Sequence, residues 1–80
     1  MALKNWKKED VRHFIPNNVA FWRNTINKGF VEVNPVQKGA PAWDEGKFQI
    51  VVNTPNVTQE RYRNTKKDAI KLARYYMKEF

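Results

Sequence analysis

The sequence has 80 residues, with 15 Lys and Arg against 8 Asp and Glu, which gives a net charge of +7. A chain of this length has room for one small domain, residues 1–80, and its charge favours polyanionic partners such as nucleic acid or an acidic protein surface. It contains no Cys, no Ser and a single His. This composition excludes disulfides, thiol catalysis, a Ser-His-Asp triad and sites that need several Cys or His ligands. We therefore expect no cofactor, no metal site and no enzymatic activity.

Residues 1–8 lack the apolar core of a secretory signal. Nowhere in the chain does an apolar run approach the roughly 20 residues that span a bilayer. We therefore expect no membrane partner and a cytoplasmic location.

The first 18 residues carry apolar side chains at roughly helical spacing, followed by a Pro-Asn-Asn sequence that ends any regular element. The spacing predicts a short helix, and an irregular edge strand remains the alternative. The apolar residues concerned are Trp6, Val11, Phe14 and Ile15.

Two hairpins are predicted in the middle of the chain. Residues 19–25 and 30–33 flank an Asn-Lys-Gly turn in which Gly29 is expected to adopt a positive φ. Residues 47–53 alternate apolar and polar side chains, and residues 57–64 follow after a Thr-Pro-Asn turn as their partner strand. The intervening residues 35–46 contain two Pro and two Gly and are predicted as a loop that Trp43 holds against the domain.

The C-terminal segment is predicted as an amphipathic helix that begins at Lys66. Thr65 is the expected N-cap, with Asp68 as the carboxylate of a capping box. The apolar residues that share one helix face are Ala69, Ile70, Leu72, Ala73, Tyr76, Met77 and Phe80. The sequence as a whole predicts an α+β fold, in which a small antiparallel sheet of three to four strands packs against this helix.

Cations on the predicted helix are the first candidate for a functional site. Lys67, Lys71, Arg74 and Lys78 are spaced four, three and four residues apart, so they share an arc of about 60° opposite the apolar stripe. A solvated helix face is the alternative interpretation, but such a face usually mixes charges of both signs. We therefore predict that this line of cations contacts phosphates, together with the neighbouring Lys66.

Arg61 and Arg63 form the second candidate, because alternate residues of a strand point to the same face. Their guanidinium groups can bind phosphates or guanine edges in a bidentate manner. The alternative is a solvent-facing strand side. Aromatic residues next to cations, at Trp6 and in the Phe21-Trp22-Arg23 sequence, are a third candidate for stacking on unpaired bases, with a place in the core as the alternative.

The strand at residues 48–52, followed by Arg-Tyr-Arg-Asn-Thr-Lys-Lys-Asp-Ala-Ile-Lys-Leu-Ala at residues 61–73, resembles the end of the arm-type DNA-binding domains of phage tyrosine integrases. The resemblance implies a sheet that enters the major groove, with a helix packed behind it. Residues 66–71 are also similar to the phosphate-contacting helix start of double-stranded RNA-binding domains, which use the helix instead. The Trp22-Arg-Asn and Thr65-Lys-Lys sequences resemble small basic proteins of archaeal viruses and phages.

These patterns together predict a non-enzymatic nucleic-acid-binding protein that acts through phosphate contacts, with DNA favoured over RNA. The alternative is a phage or viral inhibitor that uses the same basic face to bind an acidic host protein. The residues predicted to form the binding site are Lys66, Lys67, Lys71, Arg74, Lys78, Arg61 and Arg63.

Overall fold

The computed structural model describes residues 5–79, which form one antiparallel sheet and one α-helix. The strands lie in the sheet in the same order as in the chain, so each strand pairs with its sequence neighbour. The loop between the third and fourth strands contains a single 3-10 turn at Pro41–Asp44. The elements are β1 (Trp6–Lys8), β2 (Ala20–Asn24), β3 (Phe30–Pro35), β4 (Phe48–Asn53), β5 (Thr58–Arg63) and α1 (Lys66–Glu79).

The predicted α+β class is confirmed, but the sheet has five strands rather than three to four. The additional strand is β1, which pairs with β2 from Trp6 opposite Asn24 to Lys8 opposite Trp22. The short helix predicted for residues 1–18 is therefore wrong where the structure describes this segment, and residues 1–4 lie outside the described part. Only an isolated turn follows β1, closed by the Ile15 amide donating to the Val11 carbonyl at 2.7 Å. Pro16 stops it from growing into a helix.

Both predicted hairpins are confirmed, with β2 pairing with β3 and β4 pairing with β5. The turn of the first hairpin differs in detail, because Lys28 and not Gly29 has the positive φ, at 65°. Gly29 is required for a different reason. A Cβ atom at this position would lie 2.7 Å from the carbonyl oxygen of Asn53, closer than packing allows.

The helix begins after the predicted N-cap, with the Asp68 amide donating to Thr65 Oγ1 at 3.1 Å. Its buried residues come from the predicted apolar stripe, whereas Ile70 and Leu72 are half-buried at its margins and Phe80 lies outside the described residues. No helix within residues 5–79 is long and apolar enough to cross a membrane. The buried residues of α1 are Ala69, Ala73, Tyr76 and Met77.

The sheet has a helix side, which packs on α1, and an open face, which does not. The centre of the helix side is fully buried and consists of Val31, Val33, Ile50 and Val52. The open face carries the intervening residues of the same strands. Phe21 and Phe30 stack on this face with ring centroids 5.4 Å apart.

The loop between β3 and β4 has an aromatic contact at its base. Trp43 is half-buried, and Lys47 Nζ lies 5.7 Å from the centroid of its ring. This contact joins Trp43 to the residue just before β4, and the role of Trp43 in holding the loop against the domain stays a prediction.

Candidate nucleic-acid interface

The predicted cations of α1 form one exposed line along the helix, which we call the basic row: Lys67, Lys71, Arg74 and Lys78. The row spans eleven residue steps, or about 16 Å at 1.5 Å per residue. Because helix positions three and four residues apart lie on the same side, the side chains emerge next to one another over this whole length. The structure thus brings these four predicted site residues together.

The basic row has no acidic partner among residues 5–79. The two ion pairs in this part of the chain join Arg12 to Asp10 at 2.7 Å and Arg23 to Glu9 at 3.4 Å, and neither involves α1. The Arg12 pair, through its side-chain hydrogen bond, holds the pKa of Asp10 well below its usual range. The charge of the row is therefore available to an external anion.

The basic row leans toward one edge of the sheet rather than pointing directly away from it. Arg74 lines a concavity of about 200 Å³ together with Trp6, Trp22 and Met77, between α1 and the strands β1 and β2. Arg74 also lines a second concavity of about 450 Å³ on the outer surface of the helix. Arg74 therefore connects the basic row to the groove beside β2.

Lys66 is exposed at the first helical position, next to Lys67 but about 100° away around the helix axis. It therefore lies outside the basic row. Both lysines stand at the positive end of the helix dipole, where cations are unfavourable for helix stability and raise the local positive potential. Asp68 in the same turn offsets part of this positive charge.

Arg61 and Arg63 do not join the basic row. They pair across the sheet with Ile50 and Phe48, so their side chains leave β5 on the helix side and not on the open face. Arg61 Nη1 donates to the Glu60 carbonyl at 2.8 Å and Arg63 Nη1 to the Tyr62 carbonyl at 2.7 Å. Since β5 is the edge strand opposite β1, the two arginines and the row lie on different flanks of the helix.

Two of the aromatic side chains that the sequence offered for base stacking are buried, Trp6 in the core and Phe21 against Phe30 on the open face. Trp6 is 8 % exposed, and its indole Nε1 donates to the Met77 carbonyl at 3.1 Å. Phe21 is 6 % exposed, with the guanidinium of Arg23 5.2 Å from its ring centroid. Trp22 is half-buried and borders the groove beside Arg74. Stacking by Trp6 or Phe21 is therefore wrong, because an incoming base has no access to their rings.

Tyr75, which was not among the predicted site residues, is 55 % exposed. Its ring lines the 450 Å³ concavity together with Lys71, Arg74 and Lys78 of the basic row. The signal was present in the sequence, because Tyr75 follows Lys71 by four positions and precedes Lys78 by three. The neighbouring Tyr76 belongs to the apolar stripe, whereas Tyr75 lies outside it.

Away from α1, titratable side chains gather mainly after β1, where Lys8, Glu9, Asp10 and Arg12 line one concavity. No group of three or more His, Asp or Glu side chains that could hold a metal ion occurs within residues 5–79. The ring of His13 lies 4.1 Å from that of the exposed Phe14. What the arrangement offers chemically is positive charge and aromatic surface on α1.

No protein-family model matches the chain, and comparisons with curated proteins and with solved structures found no match either. The inference about function therefore depends on the geometry of the basic row.

Proposed function

We propose that the protein is a non-enzymatic nucleic-acid-binding protein, with DNA as the first candidate ligand, and that its basic row contacts phosphates. One observation carries this proposal: four exposed cations follow one side of α1, and none has an acidic partner among residues 5–79. Phosphate oxygens satisfy such cations and release condensed counterions on binding, which supplies affinity without reading sequence.

Lys66 and the two arginines of β5 have different places in this proposal. Lys66 stands at the same end of the helix as Lys67 and adds to the potential that attracts the backbone. Arg61 and Arg63 already donate to carbonyls of their own strand on the other flank of α1. We therefore place them outside the primary contact surface.

The test is charge reversal within the row, Lys71→Glu with Arg74→Glu. If both residues contact phosphates, affinity for duplex DNA falls at every sequence tested. The slope of log K against log salt becomes shallower by about 1.8, or by about 1.4 for a single strand, because two counterion-releasing contacts are lost. Fluorescence anisotropy with a labelled oligonucleotide at several salt concentrations measures both quantities.

The matched control is Arg61→Glu with Arg63→Glu, which lowers the net charge from +7 to +3, as the row variant does. The control loses some affinity through the weaker overall field, but its salt slope stays near that of the parent protein. Equal slopes for the parent and the row variant would remove α1 from the mechanism. A shallower slope only in the control would transfer the interface to β5.

An acidic host protein bound by the same face is the competing interpretation. It predicts negligible affinity of the parent protein for duplex DNA, duplex RNA and single strands even at low salt, where phosphate contacts are strongest. That result would overturn the proposal.

A further inference from the structure

Tyr75 is an exposed aromatic residue in an unusual position. Among the described residues, the large apolar or aromatic side chains that are mostly exposed are Phe14, Ile26 and Tyr75, and only Tyr75 belongs to a helix. Its ring stands beside the basic row and shares the 450 Å³ concavity with three of the cations. The ring contacts that of Tyr76 edge-on, with centroids 5.7 Å apart, and the exposed part of the Tyr75 side chain is available to a ligand.

We infer that the ligand of α1 is a single-stranded nucleic acid, one base of which stacks on Tyr75 while neighbouring phosphates contact Lys71, Arg74 and Lys78. This inference rests on the proposed function and names the class of nucleic acid. Aromatic rings interleaved with cations are the arrangement that binds unpaired strands, because every base has a π-face and every nucleotide a phosphate.

A duplex can contact the cations of this surface but cannot stack a base on Tyr75. Its bases are stacked on one another, so a ring beside the basic row meets only the sugar-phosphate backbone. The cations would then supply all of the affinity. In a single strand the base faces are open, and stacking adds to the phosphate contacts.

The groove beside Arg74 extends the same pattern. Arg74 lies between the concavity that contains Tyr75 and the one bordered by Trp22. Lys8 pairs across the sheet with Trp22 on the helix side and is exposed beyond it. From α1 to the sheet edge the surface therefore carries Tyr75, the cations of the basic row and then Trp22, whereas Lys8 lines a separate concavity with Glu9, Asp10 and Arg12.

The experiment compares Tyr75→Ala with Tyr75→Phe, using oligothymidylate, oligouridylate and a DNA duplex of the same length as probes. Loss of one stacked base lowers the affinity of Tyr75→Ala for the single strands by about 5- to 150-fold. Its salt slope stays that of the parent protein, since no cation has been removed. Tyr75→Phe keeps the ring and the affinity, and duplex binding is unchanged in both variants.

The two hypotheses fail in different ways. Single-strand affinity of Tyr75→Ala equal to that of the parent overturns the stacking inference, whereas the proposed function is decided by the salt slopes of the row variants. A parallel loss of single-strand and duplex affinity also overturns the inference, because it assigns Tyr75 to a contact common to both ligands. Circular dichroism of Tyr75→Ala, an exposed-residue change, is expected to match the parent protein and thus exclude unfolding as the cause.

Discussion

Glu32 is a half-buried carboxylate on the open face of the sheet. It lies between Phe21 of β2 and Val51 of β4, its cross-strand neighbours. Burial raises its pKa above the ordinary value of 4.5, and a hydrogen bond from Asn34 opposes this rise in part. A carboxyl group whose pKa is higher in the folded state destabilises the fold when it is ionised.

Glu32→Gln is therefore expected to stabilise the protein at pH 7. Because the folded-state pKa is the higher one, the cost of Glu32 is absent below about pH 4.5, appears as the pH rises through its folded pKa, and is complete above it. Thermal melts of the parent and the variant should differ at pH 7 and converge at low pH. Glu60→Gln is the matched control, since Glu60 is exposed on the same face. An equal gain in the control would show that overall charge, and not burial, is responsible.

At the scale of the element, α1 depends on one side-chain cap. The Thr65 hydroxyl accepts a hydrogen bond from the Asp68 amide, one of the four first-turn amides that have no partner within a helix. Thr65→Ala should cost about 1 kcal/mol. For a domain of this size, that corresponds to a fall in Tm of about 4–8 °C. Thr65→Ser retains the hydroxyl and should melt close to the parent protein. An unshifted Tm for Thr65→Ala would mean that the cap contributes nothing.

The elements that local pattern specifies were predicted well. The capping sequence and apolar stripe located α1, and alternation with turn residues located the β4–β5 hairpin. β1 was anticipated only as the alternative of an irregular edge strand, because three residues carry no periodicity and the strand exists through its pairing with β2 and the bond from Trp6 to the Met77 carbonyl. Contacts so distant in the chain leave no local signal.

In the candidate site, too, local pattern predicted some features, and contacts distant in the chain determined the others. Helical spacing predicted that the basic row is a single line of exposed cations. The alternation of β5 showed that Arg61 and Arg63 share a face, but which face and which flank depend on the register with β4 and on the strand order. The same helical spacing placed Tyr75 next to the basic row, but the extent of its exposure, 55 %, also depends on how α1 is rotated against the sheet.

At the scale of the whole molecule, the sheet and α1 form two layers around one core. Met77 is 2 % exposed and packs with the central strands, while the basic row lies on the outer side of the same helix. The layer arrangement thus separates the residues that stabilise the fold from those proposed to bind a ligand.

Met77→Asp tests this separation. A carboxylate at this buried position would have no partner, and the cost of several kcal/mol is comparable with the total stability of a small domain. We expect the variant to be unfolded by circular dichroism at 25 °C. Lys71→Asp, six residues earlier on the exposed side, is expected to retain the native spectrum. A folded Met77→Asp variant with the parent Tm would show that the helix is rotated differently against the sheet.

The outer edge of β5 has a further consequence. An unpaired strand edge is a template on which another chain can add by backbone hydrogen bonding, the first step toward aggregates. In β5 the guanidinium groups of Arg61 and Arg63 occupy the carbonyls of Glu60 and Tyr62. At the other edge, β1 is only three residues long. Growth of the sheet by a sixth strand is therefore opposed at both edges.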